Sequence, residues 1–310
     1  MHTVNLSHGV NLKELLGKYE ISLSSVACIK LGYDGNIYVL LSSHIPERID
    51  GMFVNTVANS EYSALVLIAD WQNEEIISHS LVKLGRYRMN FHFLQPIGDD
   101  FLLLGARCAY SKTRGPEMNA AIVNSSGEML CEFCLGDGIE DCIVTADERI
   151  ITSYFDEGVF GNYGWDSPIG SSGLVVWDRG GNVLWESKRN IYDCYAINLD
   201  ERGRLWYYYY DEFKLVMTDL LTEKEYTPDI DGASGFLITA DMGHIVFERG
   251  YDHNGEFSIA PILGERLGKF EPLQLACGDK PVSVSLFSFI GSFSVFSDAE
   301  STLYIKRFMF

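Results

Sequence analysis

The chain has 310 residues, with 24 basic against 43 acidic side chains, a formal charge of −19, and 47% hydrophobic and 13% aromatic residues. A charge of this sign disfavours a nucleic-acid backbone or an anionic membrane as main partner, since both are held by clustered Lys and Arg; cationic proteins or metal ions are favoured instead. The apolar content is too high and too evenly spread for disorder, and no segment approaches the roughly 18 uninterrupted apolar residues of a membrane span.

Residues 1–10 contain His2 and His8 but no basic cluster ahead of an apolar core, so no secretory signal is expected. The seven cysteines are scattered, which points to reduced thiols and a cytosolic protein. Residues 3–7 are predicted as a strand. Residues 12–19 are the one predicted helix, with Leu12, Leu15 and Leu16 on a common face.

From there a unit recurs in which a turn with Gly or Asp precedes a run of β-branched and aromatic residues. Its copies begin their apolar runs at Ile37, Phe101, Ile150, Leu205, Ile245 and Phe293, at intervals of 64, 49, 55, 40 and 48 residues. Apolar segments before each turn make the pairs hairpins, and second hairpins follow at 65–77, 121–130 and 174–185. The spacing suits four-stranded propeller blades. The expectation is therefore an all-β, six-bladed β-propeller of one domain, 1–310, with blades near 20–84, 85–137, 138–190, 191–230, 231–277 and 278–310 plus 1–8. The last blade lacks an outer strand, which residues 3–7 are expected to supply, closing the ring without an open edge. A large β-sandwich is the competing architecture. The strand pattern resembles the six-bladed propeller superfamily of NHL-repeat proteins and of calcium-dependent lactonases related to gluconolactonase. It has neither the Trp-Asp ending of WD40 blades nor a kelch double glycine.

In a propeller, turns joining strands one to two and three to four lie on one face, and the remaining connections lie on the other. Here the first set is short and the second holds the long insertions, 42–62, 106–118 and 154–173. Binding sites gather on such loops, so one functional face is expected, weighted towards the first three blades. The third insertion carries Asp156, Glu157, Asn162, Tyr163, Trp165 and Asp166 among five glycines and five aromatics. With Tyr195 these are the candidate partner or ligand residues; a compact structural loop is the alternative. Acids recur at the blade entrances: Asp137, Glu140 and Asp141, then Asp193, then Asp229 and Asp231. Convergence of Asp141, Asp193 and Asp231 would suit a hard cation such as Ca²⁺; capping of loop amides is the competing role.

Other motifs fail on spacing. Cys131 and Cys134 have the interval of a zinc or redox pair, but no second pair accompanies them, and side chains three apart on a strand face opposite ways. No dinucleotide fingerprint or serine-hydrolase elbow is present. Two functions stay open: a non-enzymatic binding propeller presenting an acidic, aromatic face to a basic protein partner, with an inhibitor or immunity role as one form, and a metal-dependent hydrolase or lactonase with Ca²⁺ at the channel mouth.

Overall fold

The computed structural model describes residues 2–7, 9–45, 48–49, 52–53 and 59–310. The alternation of side chains along a strand explains its layering. In Ile37–Ser42, Ile37, Val39 and Leu41 pack into one apolar layer while Tyr38 and Leu40 enter another. In Leu205–Tyr210, Tyr207 and Tyr209 go one way, and Trp206 and Tyr208 the other. Strands covered on both faces belong inside a stack of sheets, and each fully buried Leu, Ile or Phe stabilises it by roughly 1.5–3 kcal/mol.

The sheets are arranged as a propeller. Four consecutive four-stranded antiparallel blades begin with the strands Val26–Leu31, Phe93–Ile97, Ile139–Val144 and Asp193–Leu199. A seven-stranded sheet beginning at Phe236–Ile238 follows, and then a closing four-stranded blade beginning at Val284–Ile290. The first strands of successive sheets are neighbours around the axis. The count of four-stranded blades is therefore five, not the six expected. The fifth repeat departs from the pattern because two short strands, Arg266–Leu267 and Lys280–Pro281, and the N-terminal strand join its sheet.

That N-terminal strand is a second correction. His2–Asn5 does not complete the closing blade; it runs parallel to Glu271–Cys277, with His2 opposite Leu273. Val4 and Leu6 are buried there beside Leu273, Leu275 and Phe308, which holds the segment on the large sheet and covers its edge. The ring is closed instead by Val10–Asn11, which pairs with Thr302–Arg307. The helix Leu12–Gly17 follows at once, its first turn capped by Asn11 Oδ1, which accepts from the Glu14 N–H. Leu12, Leu15 and Leu16 are buried against the first and closing blades. Among the described residues no helix is long and apolar enough to cross a membrane.

Candidate functional site

The connection 105–119 of the second blade and 155–173 of the third interlock on the long-insertion face. Arg107 is the hub. It donates from Nε to Asp137 Oδ1 at 2.9 Å and from Nη2 to Asp137 Oδ2 at 3.0 Å, and it also donates to Glu157. Its guanidinium carbon lies 4.3 Å from the centre of the Tyr163 ring and 5.3 Å from that of Phe155. Burial pushes the Asp137 carboxyl above its ordinary range, against the pull of the Cys108 N–H and Arg107. Glu157 is half-buried, yet hydrogen bonds from Asn162 and Arg107 outweigh that burial and hold its carboxyl below the usual range. Gly158 allows this packing: a Cβ there would fall 2.5 Å from the Asp137 carbonyl oxygen.

Trp165, expected on the exposed surface, is instead buried; its indole N–H donates to the Cys108 carbonyl at 2.7 Å and its ring meets Tyr110 at 5.1 Å. Tyr163 is likewise engaged, stacked on Arg107. Asn162 folds back to accept from the Tyr163 N–H, and Asp166 pairs with Lys112 in the open. The glycine- and aromatic-rich insertion is thus a clamp between blades, with Asp156 left at its exposed edge. Of the first insertion, residues 46–47, 50–51 and 54–58 lie outside the described residues, and Arg48–Ile49 pairs with Met52–Phe53 as a short antiparallel ladder.

The three entrance acids have separate environments. Asp141 Oδ1 accepts from Lys30 Nζ at 2.6 Å, between the innermost strands of the first and third blades, and from the Cys142 N–H at 2.7 Å. Both charges line a cavity of about 50 Å³ shared with Gln95 and Ser288 from other innermost strands and with Ser234 just before Phe236–Ile238, so this ion pair sits in the central channel. Lys30 keeps its proton because Asp141 outweighs the burial that acts against it. Asp193 is pushed up to about 8 by burial, reinforced by the carboxylates of Glu140 and Asp156. Asp231 is exposed, and its carbonyl accepts from the Tyr251 N–H at 3.2 Å.

Among the described residues no group of three or more His, Cys, Asp or Glu is arranged to hold a metal ion. Asp141, Asp193 and Asp231 thus do not form the expected cation site, and a Ca²⁺ ion implied by the lactonase resemblance does not fit them. An ammonium group occupies the position beside Asp141 where a cation was expected. Lys30 and Arg107 are the functional-face residues that sequence reasoning missed. Their signal was available in part: Lys30 is the lone charge in the strand Val26–Leu31, and a cation on an innermost, partly buried strand calls for an anion nearby.

Further round the ring this face also exposes aromatic rings. Phe160 and Tyr192 are exposed and their rings meet at 5.6 Å. Between the fourth blade and the large sheet, Tyr195 donates to or accepts from Tyr251 at 2.6 Å between hydroxyls and stacks on Tyr210 at 6.2 Å, with Phe213 against both. Tyr210 and Tyr251 present their rings to solvent beside exposed Asp211, Glu212 and Asp252. Glu248 fixes the loop that carries Tyr251: its Oε2 accepts from the Ser234 and Gly250 N–H groups, both at 3.0 Å. Among the described residues, exposed aromatic rings are thus found at the third blade, the fourth blade and the large sheet, in addition to Tyr110 of the second insertion.

The opposite face is not featureless. Its short turns surround a cavity of about 660 Å³ with Tyr33, Phe293, Asp147, Arg149 and Arg202 in its wall. Several acids there are committed to their own turns, while Asp100 meets Arg179, Glu74 meets Lys306 and Glu201 meets Arg307 across blades. Asp200 accepts from the Arg202 and Arg204 N–H groups, from Arg204 Nε and from the Trp206 indole. Asp34 and Asp298 likewise accept a backbone N–H and the hydroxyl of a tyrosine four or six residues on.

The comparisons with known proteins agree with this geometry at the level of fold. No protein-family model and no curated protein matches the chain. Solved structures do. The complex of KlAtg21 with the coiled coil of AgAtg16 is matched at 10% identity and a TM-score of 0.52, over 92% of this chain and 83% of that one. Virginiamycin B lyase from Staphylococcus aureus is matched at 9% identity and 0.51, over 90% and 93%. Kuenenia stuttgartiensis hydrazine synthase is matched at 10% and 0.51, over 93% and 96%. The fold is a β-propeller. At these identities the likeness extends no further, and the three names span a protein complex and enzymes.

Proposed function

We propose that the protein is a non-enzymatic binding propeller of the cytosol, whose long-insertion face receives a basic segment of a protein partner. The observation that carries this reading is the belt of exposed aromatic rings, Phe160, Tyr192, Tyr210 and Tyr251, set among exposed Asp156, Asp211, Glu212 and Asp252. Tyr and Phe are efficient contact residues, because a large surface is buried at little cost in side-chain entropy, and their faces attract Lys and Arg. Carboxylates around them steer a cationic partner and reject acidic ones. The net charge of −19 acts in the same sense at longer range. That a structural neighbour, KlAtg21, is seen holding a coiled coil supports the use of such a scaffold as a docking platform. The hydrolase alternative lacks a comparable observation, since the carboxylates it requires are dispersed.

The test is affinity capture with wild type, Asp156→Lys/Asp211→Lys and Tyr210→Ala/Tyr251→Ala, beside Asp99→Lys/Glu128→Lys on the opposite face. A basic protein should be retained by wild type and by the last variant, lost from the first two, and released by moderate salt. Capture of the same proteins by all four would overturn the proposal.

A further inference from the structure

Two of the seven cysteines approach each other across the long-insertion face. Cys108, in the connection after Asp100–Leu104, and Cys134, just beyond Met129–Phe133, stand with their sulfurs 3.6 Å apart, though 26 residues separate them in sequence. Both backbones are held in place. The Cys108 N–H donates to Asp137 Oδ1 at 2.8 Å and its carbonyl accepts from Trp165 at 2.7 Å. Next to Cys134, the Leu135 N–H donates to Asn119 Oδ1 at 2.9 Å. A disulfide of about 2.05 Å needs the sulfurs to close by roughly 1.5 Å, within reach of side-chain rotation about fixed backbones.

The two thiols are not equivalent. Cys108 is buried, while Cys134 is partly open to solvent and accepts from the Gly136 N–H at 3.4 Å. The Cys108 sulfur and the Gly136 amide both face the Cys134 sulfur. The contact with Cys108 and that amide lower the Cys134 thiol below its ordinary value despite burial, whereas the Cys108 thiol, which also donates to the Glu117 carbonyl at 3.6 Å, is pushed up. Cys134 therefore has the environment of an attacking thiolate and Cys108 that of a resolving thiol.

We propose that Cys108 and Cys134 form an oxidative modification site, a dithiol that hydrogen peroxide converts to an intramolecular disulfide. The Cys134 thiolate attacks a peroxide oxygen; an S–O bond forms, the O–O bond breaks, and the departing hydroxide takes up a proton as water. The Cys108 sulfur then attacks the sulfenic sulfur; the S–S bond forms as the S–O bond breaks, and the Cys108 proton leaves with the hydroxyl as a second water. Two thiols lose two electrons, and one peroxide is reduced to two waters. The product staples the connection that bears Arg107 to the exit of the second blade, in a protein that otherwise keeps its thiols reduced. Exposed Cys131, which shares the two-residue spacing with Cys134, has no part in it.

The full-length protein is treated with a small excess of hydrogen peroxide under native conditions, denatured in N-ethylmaleimide, weighed intact and mapped by peptides. Labelled thiols should fall from seven to five, a single Cys108–Cys134 link should be found, and dithiothreitol should restore all seven. Cys131→Ala should behave as wild type, and Cys108→Ala and Cys134→Ala should form no link. The link in the wild-type map decides the matter even where a variant does not fold. A Cys131–Cys134 link, sulfinic acid at Cys134 with Cys108 still labelled, or no link at all would each overturn the proposal.

Discussion

The two faces of the disc divide the same residue type differently between local caps and cross-blade ties. On the short-turn face, Asp34, Asp178, Asp200 and Asp298 each cap amides of their own turn, two to four residues on. On the long-insertion face, Asp141 meets Lys30 from 111 residues away and Asp137 meets Arg107 from 30 away. A carboxylate that serves its own turn makes a hairpin tight and has little left to offer a partner. One that reaches across blades ties sheets together, and the acids left over beside it, such as Asp156 and Asp211, remain available. Cross-blade pairs occur on the short-turn face too, Asp100 with Arg179 and Glu74 with Lys306. What separates the faces is therefore the larger share of local caps on one and the exposed, uncommitted charge beside the ties on the other.

The largest effect should come from breaking a cross-blade tie. Lys30→Met leaves Asp141 without its ammonium partner in the channel and should lower the unfolding free energy by about 3 kcal/mol in urea melts, with much of the loss recovered in Lys30→Met/Asp141→Leu. No change in the single variant would mean that the channel is wet enough to solvate Asp141 alone. Next is a local cap: Asp200→Ala removes the acceptor of two amides, a guanidinium and an indole, and should cost about 2 kcal/mol. An Asp200→Ala loss larger than that of Lys30→Met would overturn the contrast between local caps and cross-blade ties.

Asp193 sharpens the comparison by pH. Its carboxyl is pushed up to about 8 in the folded protein, well above the ordinary value near 3.8 of the unfolded chain. The folded state therefore holds the proton more tightly, and the associated stability is present at low pH and lost as pH rises through that window towards 8. Asp193→Asn lacks this term, so wild type should lose on the order of 1–3 kcal/mol relative to it between pH 5 and pH 8.5, a figure reduced for partial solvent exposure. Parallel curves for the two proteins would place the Asp193 proton elsewhere. The smallest stability effect belongs to the exposed rings: Tyr210→Ala/Tyr251→Ala should shift the midpoint by less than about 1 kcal/mol while abolishing partner capture.

Legibility followed the range of the interactions. The turns, the hairpins, the helix with its three buried leucines, and the division of Trp206 to Tyr210 between two layers could all be read from spacing, because each depends on residues a few positions apart. The number of four-stranded blades could not, since Arg266–Leu267, Lys280–Pro281 and His2–Asn5 enlarge one sheet through pairings that no local pattern announces. The third insertion stands out in the sequence for its glycines and aromatics, yet the same composition serves a buried clamp or an exposed surface. Trp165 took the first role because the Cys108 carbonyl and Tyr110 of another blade were there to receive it.

By itself, then, the sequence determined an all-β propeller, short turns on one face, long connections on the other, and an excess of acid. Period-two burial and turn chemistry are local and leave their mark in spacing. Only the tertiary structure decided which acids are neutralised, that Lys30 rather than a bound cation faces Asp141, and that Cys108 lies against Cys134 rather than Cys131. Those outcomes depend on packing within and between blades, which brings side chains 26 to 111 residues apart into contact and so turns charges that look alike in sequence into partners, caps or free contacts.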